Sequence, residues 1–114
     1  MSIDFTVVIP TYNGASRLPQ VLEKLQAQTN IEHLNWEIII VDNNSSDGTA
    51  KLVQEYHKGW KYPFELRYVF EPEQGLAFAR ATGVKEAKGK LVGFLDDDNL
   101  PALSWISAAC IFGQ

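Results

Sequence analysis

Four short apolar runs, each stopped by a polar cluster, alternate with stretches of helical periodicity along the chain. Phe5-Thr6-Val7-Val8-Ile9 is β-branched and apolar on both faces and ends at Pro10, which reads as a buried strand. After it, Leu18, Val21, Leu22 and Leu25 recur at the spacing of one helix face. Ser16 stands where an N-cap belongs, and Pro19 falls in the first turn, where its missing N–H costs little. Trp36 to Val41 predicts a second strand, cut off by the polar segment Asp42 to Asp47. Gly48-Thr49 leads into a second helix containing Ala50, Val53 and Tyr56.

Glu65 to Phe70, bracketed by Pro63 and Pro72, reads as a third strand. A third helix over about Gly75 to Lys88 puts Leu76, Ala79, Gly83 and Ala87 on one face, mostly small residues suited to close approach on a sheet. Gly89 is the expected C-terminal cap of that helix. Lys90 to Leu95 forms the fourth strand and runs into Asp96-Asp97-Asp98, and Leu103, Ile106, Ser107 and Cys110 suggest a last helix. Strand and helix thus alternate four times, and the strands lack polar alternation. The expectation is an α/β fold, a mainly parallel sheet of about four strands with helices on both faces. Ligands of such sheets bind beyond the C-terminal strand ends, where the strand order reverses. Thr11-Tyr12-Asn13, Asp42 to Asp47 and Asp96 to Asn99 would all open on that edge.

With 114 residues, 46% of them hydrophobic and 21% charged, the chain is one ordinary globular domain's worth. A net charge of -4 without a basic stripe argues against nucleic acid as a partner. Cys110 is the single cysteine; it reads as a small buried hydrophobe and suits a reducing compartment. No apolar stretch approaches the ~20 residues of a transmembrane helix, and no signal peptide opens the chain. The expected location is cytoplasmic, peripheral at most to the inner face of a membrane.

Three consecutive carboxylates after a buried strand repel one another, by about 1 kcal/mol per pair at 4 Å even in bulk water. A divalent cation, Mg²⁺ or Mn²⁺, would relieve the repulsion and bridge to a diphosphate. A solvated acidic loop leading toward the last helix explains the same residues without a metal. Asp42 either turns the backbone through its side chain or accepts from a ligand's base or ribose. Asp42 to Gly48 superficially resembles a calcium loop, but its glycine is one place late and the twelfth position is Val53 rather than Glu. Arg80 is either a surface arginine, paired with Glu73 or Glu86, or a cation near a diphosphate. His33 and His57 have no partner at metal spacing, and the tryptophans read as packing residues, with Trp105 nearest the carboxylates. The Gly-x-Gly-x-x-Gly fingerprint, the P-loop and the nucleophilic serine elbow are all missing.

Four segments together resemble the family 2 glycosyltransferases, inverting enzymes with the GT-A fold: Val7 to Asn13, Val41 to Thr49, Gly75 to Arg80 followed by Gly83, and Phe94 to Asp98. They occur in the family's order and cover nearly the whole chain. The resemblance implies a nucleotide-diphosphate sugar donor, foremost a UDP-sugar, with Thr11 and Tyr12 lining the base pocket and Asp42 bonding the base. Arg80 would hold the nucleotide end, Asp98 would ligate the metal, and Asp96 or Asp97 would reach ribose or metal. Where the family often has Asn after the arginine, this chain has Ala81. The family's general base is a downstream carboxylate, and no Asp, Glu or His lies between Asn99 and Gln114. The expectation is therefore a single nucleotide-sugar-binding domain over residues 1–114, cut off before an acceptor-binding half and inactive alone. A non-catalytic nucleotide- or metal-binding module and a sugar-nucleotide nucleotidyltransferase are the alternatives; the latter lacks its Gly-rich basic loop after the first strand.

Overall fold

The two most apolar runs are the two central strands. β1 (Ile3–Thr11) and β2 (Trp36–Asp42) are buried almost throughout, whereas β3 (Glu65–Phe70) and β4 (Gly89–Phe94) are partly exposed at the sheet edges. The structure, a computed structural model, describes residues 2–112. The four strands are all parallel, in the order β3-β2-β1-β4. From β1 the chain steps outward through β2 and β3, then returns to place β4 on the other side of β1. The switch point lies between β1 and β4.

Pro10 opens that switch point. The Val8 carbonyl accepts from the Leu95 N–H at 3.0 Å, so Val8 turns its backbone groups toward β4, and Pro10, two residues on, faces the same way. Pairing with β4 ends at Val8 and Phe94, while pairing with β2 continues to Thr11 and Asp42. The missing N–H of Pro10 therefore costs no ladder bond, and β1 and β4 separate into a crevice beyond it. This is also why the first strand runs two residues past the expected stop at Ile9.

Side-chain alternation sorts the helices to the two faces. Phe5, Val7, Ile9, Ile38 and Ile40 pack against α1 (Leu18–Gln26), α2 (Thr49–Lys58) and α4 (Trp105–Phe112). Val8, Ile39 and Val41 face α3 (Leu76–Glu86) through Ala79. A Cβ on Gly83 would lie 2.3 Å from Val8 Cγ1, so only glycine permits this approach. Of the other residues expected on that helix face, Leu76 is half exposed, and Ala87 lies past the helix end yet packs on the same cluster.

Three local expectations change. Ser16 is exposed and does not cap α1; its N-cap is Arg17, and the Gly14 carbonyl accepts from the Arg17 and Leu18 N–H groups. Gly89 is not the cap of α3, which ends in the extended residue Ala87; it opens β4, where a Cβ would lie 2.6 Å from the Thr6 backbone nitrogen. Leu103 precedes α4, and its carbonyl accepts from the Thr29 N–H at 2.8 Å. Trp105 keeps its reading as a packing residue: it sits edge-on to Phe5, packed against the larger core cluster.

At the opposite end of the sheet, Glu37 is buried among donors: the Lys88 N–H and Thr6 hydroxyl at 2.8 Å, and Arg67 at 3.0 Å. Burial pushes against ionisation, but these donors outweigh it and hold the carboxyl below the usual glutamate range. The cluster pins the α3–β4 connection to β1 and β2.

Candidate functional site

The loops after β1 and β2 are tied to each other before they meet any ligand. Asn13, in the left-handed region at φ 52, accepts on Oδ1 from the Ser46 N–H at 2.8 Å and the Asp47 N–H at 3.2 Å. Its own N–H donates to Ser45 Oγ at 2.8 Å. Asp47 accepts from the Ala15 N–H on one oxygen, and from the N–H and hydroxyl of Thr49 on the other. The Thr49 hydroxyl is the main reason its carboxyl stays below the ordinary aspartate value. The resemblance to a calcium loop thus has a structural answer: these oxygens hold backbone in place.

Asn43 makes the next tie. Its Oδ1 accepts from the Gly75 N–H at 2.9 Å, and its Nδ2 donates to the carbonyls of Glu71 and Glu73. Gly75, at φ 144, could not be replaced without strain, so the start of α3 is fixed relative to β2. Asp42 is 2% exposed, and both its oxygens are engaged, one by the Ser45 N–H at 3.0 Å and the other by the Tyr68 hydroxyl at 2.6 Å. The bond from the Ser45 N–H is the turn-forming contact that the sequence offered as one of two readings of Asp42.

Between these loops and the end of β4 lies a cavity of about 350 Å³. Pro10, Thr11 and Tyr12 line it from β1, Asn43 from β2, Leu76 and Ala79 from α3, Arg17 from the start of α1, and Asp96, Asp97 and Asp98 from the end of β4. The structure therefore brings together Thr11, Tyr12 and the three carboxylates, as expected from the sequence. It does not place Asp42 or Arg80 in the lining: Asp42 is buried at the end of β2, and Arg80 is exposed with its guanidinium 5.5 Å from the Phe94 ring centroid.

The three carboxylates are not equivalent. Asp97 accepts from Arg17 Nε and Nη2, both at 3.1 Å, and from the Thr11 hydroxyl at 2.7 Å. Arg17 Nη2 also donates to the Tyr12 carbonyl at 3.3 Å. Gly14 leaves room for this: a Cβ there would lie 2.0 Å from Thr11 Oγ1 and 2.5 Å from Asp97 Oδ2. Asp97, through its hydrogen bonds and then its charge, raises the Arg17 pKa further. Asp96 and Asp98 are exposed at the cavity mouth and form no ion pair with a described residue. The acidic loop does not serve α4, whose first turn has no acidic residue.

Among the described residues no three His, Cys, Asp or Glu side chains converge into a metal cage. Two exposed carboxylates at a cavity mouth nonetheless suit a hard cation that completes its shell with water and ligand phosphates, as Mg²⁺ and Mn²⁺ do. Sequence reasoning passed over Arg17 and Asn43, the first as part of a loop not basic enough for phosphates, the second inside the rejected calcium loop. Neither residue type at its position announces its partners, because Asp97 for Arg17, and Glu71, Glu73 and Gly75 for Asn43, lie in distant segments.

Among the described residues no helix is long and apolar enough to cross a membrane. Residues 6–109 match the model of glycosyl transferase family 2. The glycosyltransferase AglE of Haloferax volcanii is 32% identical over 102 residues, covering 89% of this chain and 32% of that protein. The crystal structure of S. aureus TarS 1-349 in complex with UDP superposes with a TM-score of 0.82 at 26% identity, over 96% of this chain and 32% of that one. The mannosyltransferase PcManGT from Pyrobaculum calidifontis, in complex with GDP-Man and Mn²⁺, gives 0.78 at 31% identity over 90% of this chain and 30% of that one. The chain thus spans about a third of the length of these relatives.

Proposed function

The chain belongs to glycosyl transferase family 2 and has its GT-A, Rossmann-like sheet, and on that premise we propose that residues 1–114 form a single donor-binding domain for a nucleotide-diphosphate sugar, foremost a UDP-sugar. The observation that carries this reading is the cavity at the β1–β4 switch point, with Asp96 and Asp98 exposed at its mouth and Tyr12 beside them. Solved relatives holding UDP, or GDP-Man with Mn²⁺, support the same ligand class.

In this reading the base enters beside Tyr12, whose ring is half exposed, and against the Asn43 segment. Asp42 acts from behind: with Tyr68 and the Ser45 N–H it fixes the loop that presents Asn43. Thr11 shapes the floor, its hydroxyl already given to Asp97. Arg80 stands one helical turn beyond Leu76 with its guanidinium over the Phe94 ring, and in this reading it offers a cation to the nucleotide end. Asp98, with Asp96, would hold Mg²⁺ or Mn²⁺, which when bound neutralises the diphosphate and the charge growing on it as a leaving group. Leu76 and Ala79 supply an apolar wall that limits water on one side of the cavity. The whole protein's reaction in this reading is transfer of the sugar to an acceptor hydroxyl with inversion, in polysaccharide, cell-envelope or glycolipid synthesis. The acceptor and the general base are assigned to no residue of this chain. The buried thiol of Cys110 suits a reducing compartment, and in this reading the protein is cytoplasmic, peripheral at the inner face of the membrane.

Calorimetric titration of UDP with and without Mn²⁺ tests this proposal. UDP should bind only with the metal present, and Asp98→Ala should weaken it at least ~10-fold, the loss of about 1.4 kcal/mol. UDP binding that ignores both metal and substitution would overturn the site.

A further inference from the structure

We propose that Arg17 is a positioning residue that holds Asp97 out of the cation site, so that Asp96 and Asp98 alone face the metal and diphosphate. This rests on the donor-site reading above, but its geometry is independent of any ligand. Asp97 and Asp98 lie in a turn past β4, closed by the Asn99 N–H on the Asp96 carbonyl at 3.1 Å, so strand alternation does not fix which of the three carboxylates face a bound cation. Here the choice is made by the opposite wall of the crevice. The Arg17 fork meets both Asp97 oxygens at 3.1 Å, and the Thr11 hydroxyl adds a bond to one of them at 2.7 Å. A bidentate guanidinium–carboxylate pair is the strong, orientation-fixing kind of charged hydrogen bond. The side chain of Asp97 is 13% exposed, against 42% for Arg17. The carboxylate is thus the sequestered partner, and the arginine remains at the cavity surface.

The same guanidinium bonds the Tyr12 carbonyl, so one side chain joins the β1 exit, the start of α1 and the β4 exit across the crevice. Gly14 is the space this arrangement needs, since any Cβ there would meet both Thr11 Oγ1 and Asp97 Oδ2. Two consequences follow. The mouth keeps two carboxylates rather than three, enough to hold a cation that still needs phosphate oxygens. The metal therefore binds weakly alone and well only with the nucleotide, which ties cation retention to donor loading.

The test is a double-mutant cycle read by Mn²⁺ electron paramagnetic resonance without nucleotide, with circular dichroism confirming that each variant folds. Arg17→Ala should bind Mn²⁺ about five-fold more tightly than the parent chain, because it frees a third carboxylate. In an Asp97→Asn background the same substitution should change Mn²⁺ affinity less than ~2-fold, since no carboxylate remains to be released. Arg17→Lys, which keeps the charge but not the fork, should show part of the gain. In the presence of Mn²⁺, Asp97→Asn should weaken UDP binding far less than Asp98→Ala. Equal gains from Arg17→Ala in both backgrounds would mean that only net charge matters and would overturn the assignment. So would an Asp97→Asn defect as large as that of Asp98→Ala. Failure of the parent chain to bind UDP at all would sink the donor-site reading while leaving the Mn²⁺ cycle interpretable.

Discussion

The Tyr68 hydroxyl donates to Asp42 Oδ2 at 2.6 Å, joining the end of β2 to the middle of β3 just below the candidate site. The bond uses a carboxylate oxygen that the sequence offered to a ligand, and it orients Asp42 at the end of β2.

Removing that bond leaves a buried acceptor short of a partner. Tyr68→Phe should lower stability by about 1–3 kcal/mol, measured by urea denaturation at neutral pH. It should also change the alkaline limb. Burial first, then the bond to Asp42, push the Tyr68 phenol above its ordinary value of 10.0. The fold favours the protonated form, so this contribution is intact below pH 10 and declines as pH rises past it, when the unfolded chain can ionise and the folded one cannot. Thermal melts above pH 10 should therefore fall more steeply for the parent chain than for Tyr68→Phe.

Glu37 governs the acid side. Its folded pKa lies below the ordinary 4.5, so its contribution is present above that value and lost as pH falls through the folded one. Glu37→Gln, which leaves Arg67 without its buried charge partner, should cost about 3 kcal/mol at neutral pH. A variant whose acid-unfolding midpoint and neutral stability both match the parent's would contradict the account.

Gly14→Ala should separate binding from folding. The new methyl group displaces the Thr11 hydroxyl and the Asp97 carboxylate, at a cost of about 1–3 kcal/mol in stability. UDP affinity in the presence of Mn²⁺ should fall by more than the stability loss alone explains at a temperature where the variant remains folded. Calorimetry on folded protein checks it.

Gly83→Ala acts on the other face. Its Cβ cannot share space with Val8 Cγ1, so α3 must move off the sheet, at about 1–3 kcal/mol. Hydrogen exchange should show faster exchange in α3 than in α1, whose contacts lie on the opposite face of the sheet.

How legible each element was depended on how far its causes reached along the chain. The apolar runs of β1 and β2 announced central strands, because burial on both faces removes polar alternation. Leu18, Val21, Leu22 and Leu25 declared the buried face of α1, and all four are buried. The ends were harder to read. Ser16 lost its capping role to a loop organised by Asn13 and Asp47, and Gly89 was needed for contact with Thr6 rather than for ending a helix. Each of these outcomes depends on a partner at least 30 residues away.

Sequence alone determined the alternation of strand and helix, the parallel sheet, the family resemblance, and the edge on which Thr11, Tyr12 and the three carboxylates meet. Periodicity and local chemistry are sufficient for these, because each is written within one segment. The tertiary structure decided which carboxylates stay free. Asp96, Asp97 and Asp98 are chemically identical in the sequence, and only the return of β4 beside β1 sets Asp97 against Arg17 and Thr11 while leaving its neighbours at the cavity mouth. An ion pair between residues 80 positions apart has no local signature, since its geometry arises from strand order and crevice width.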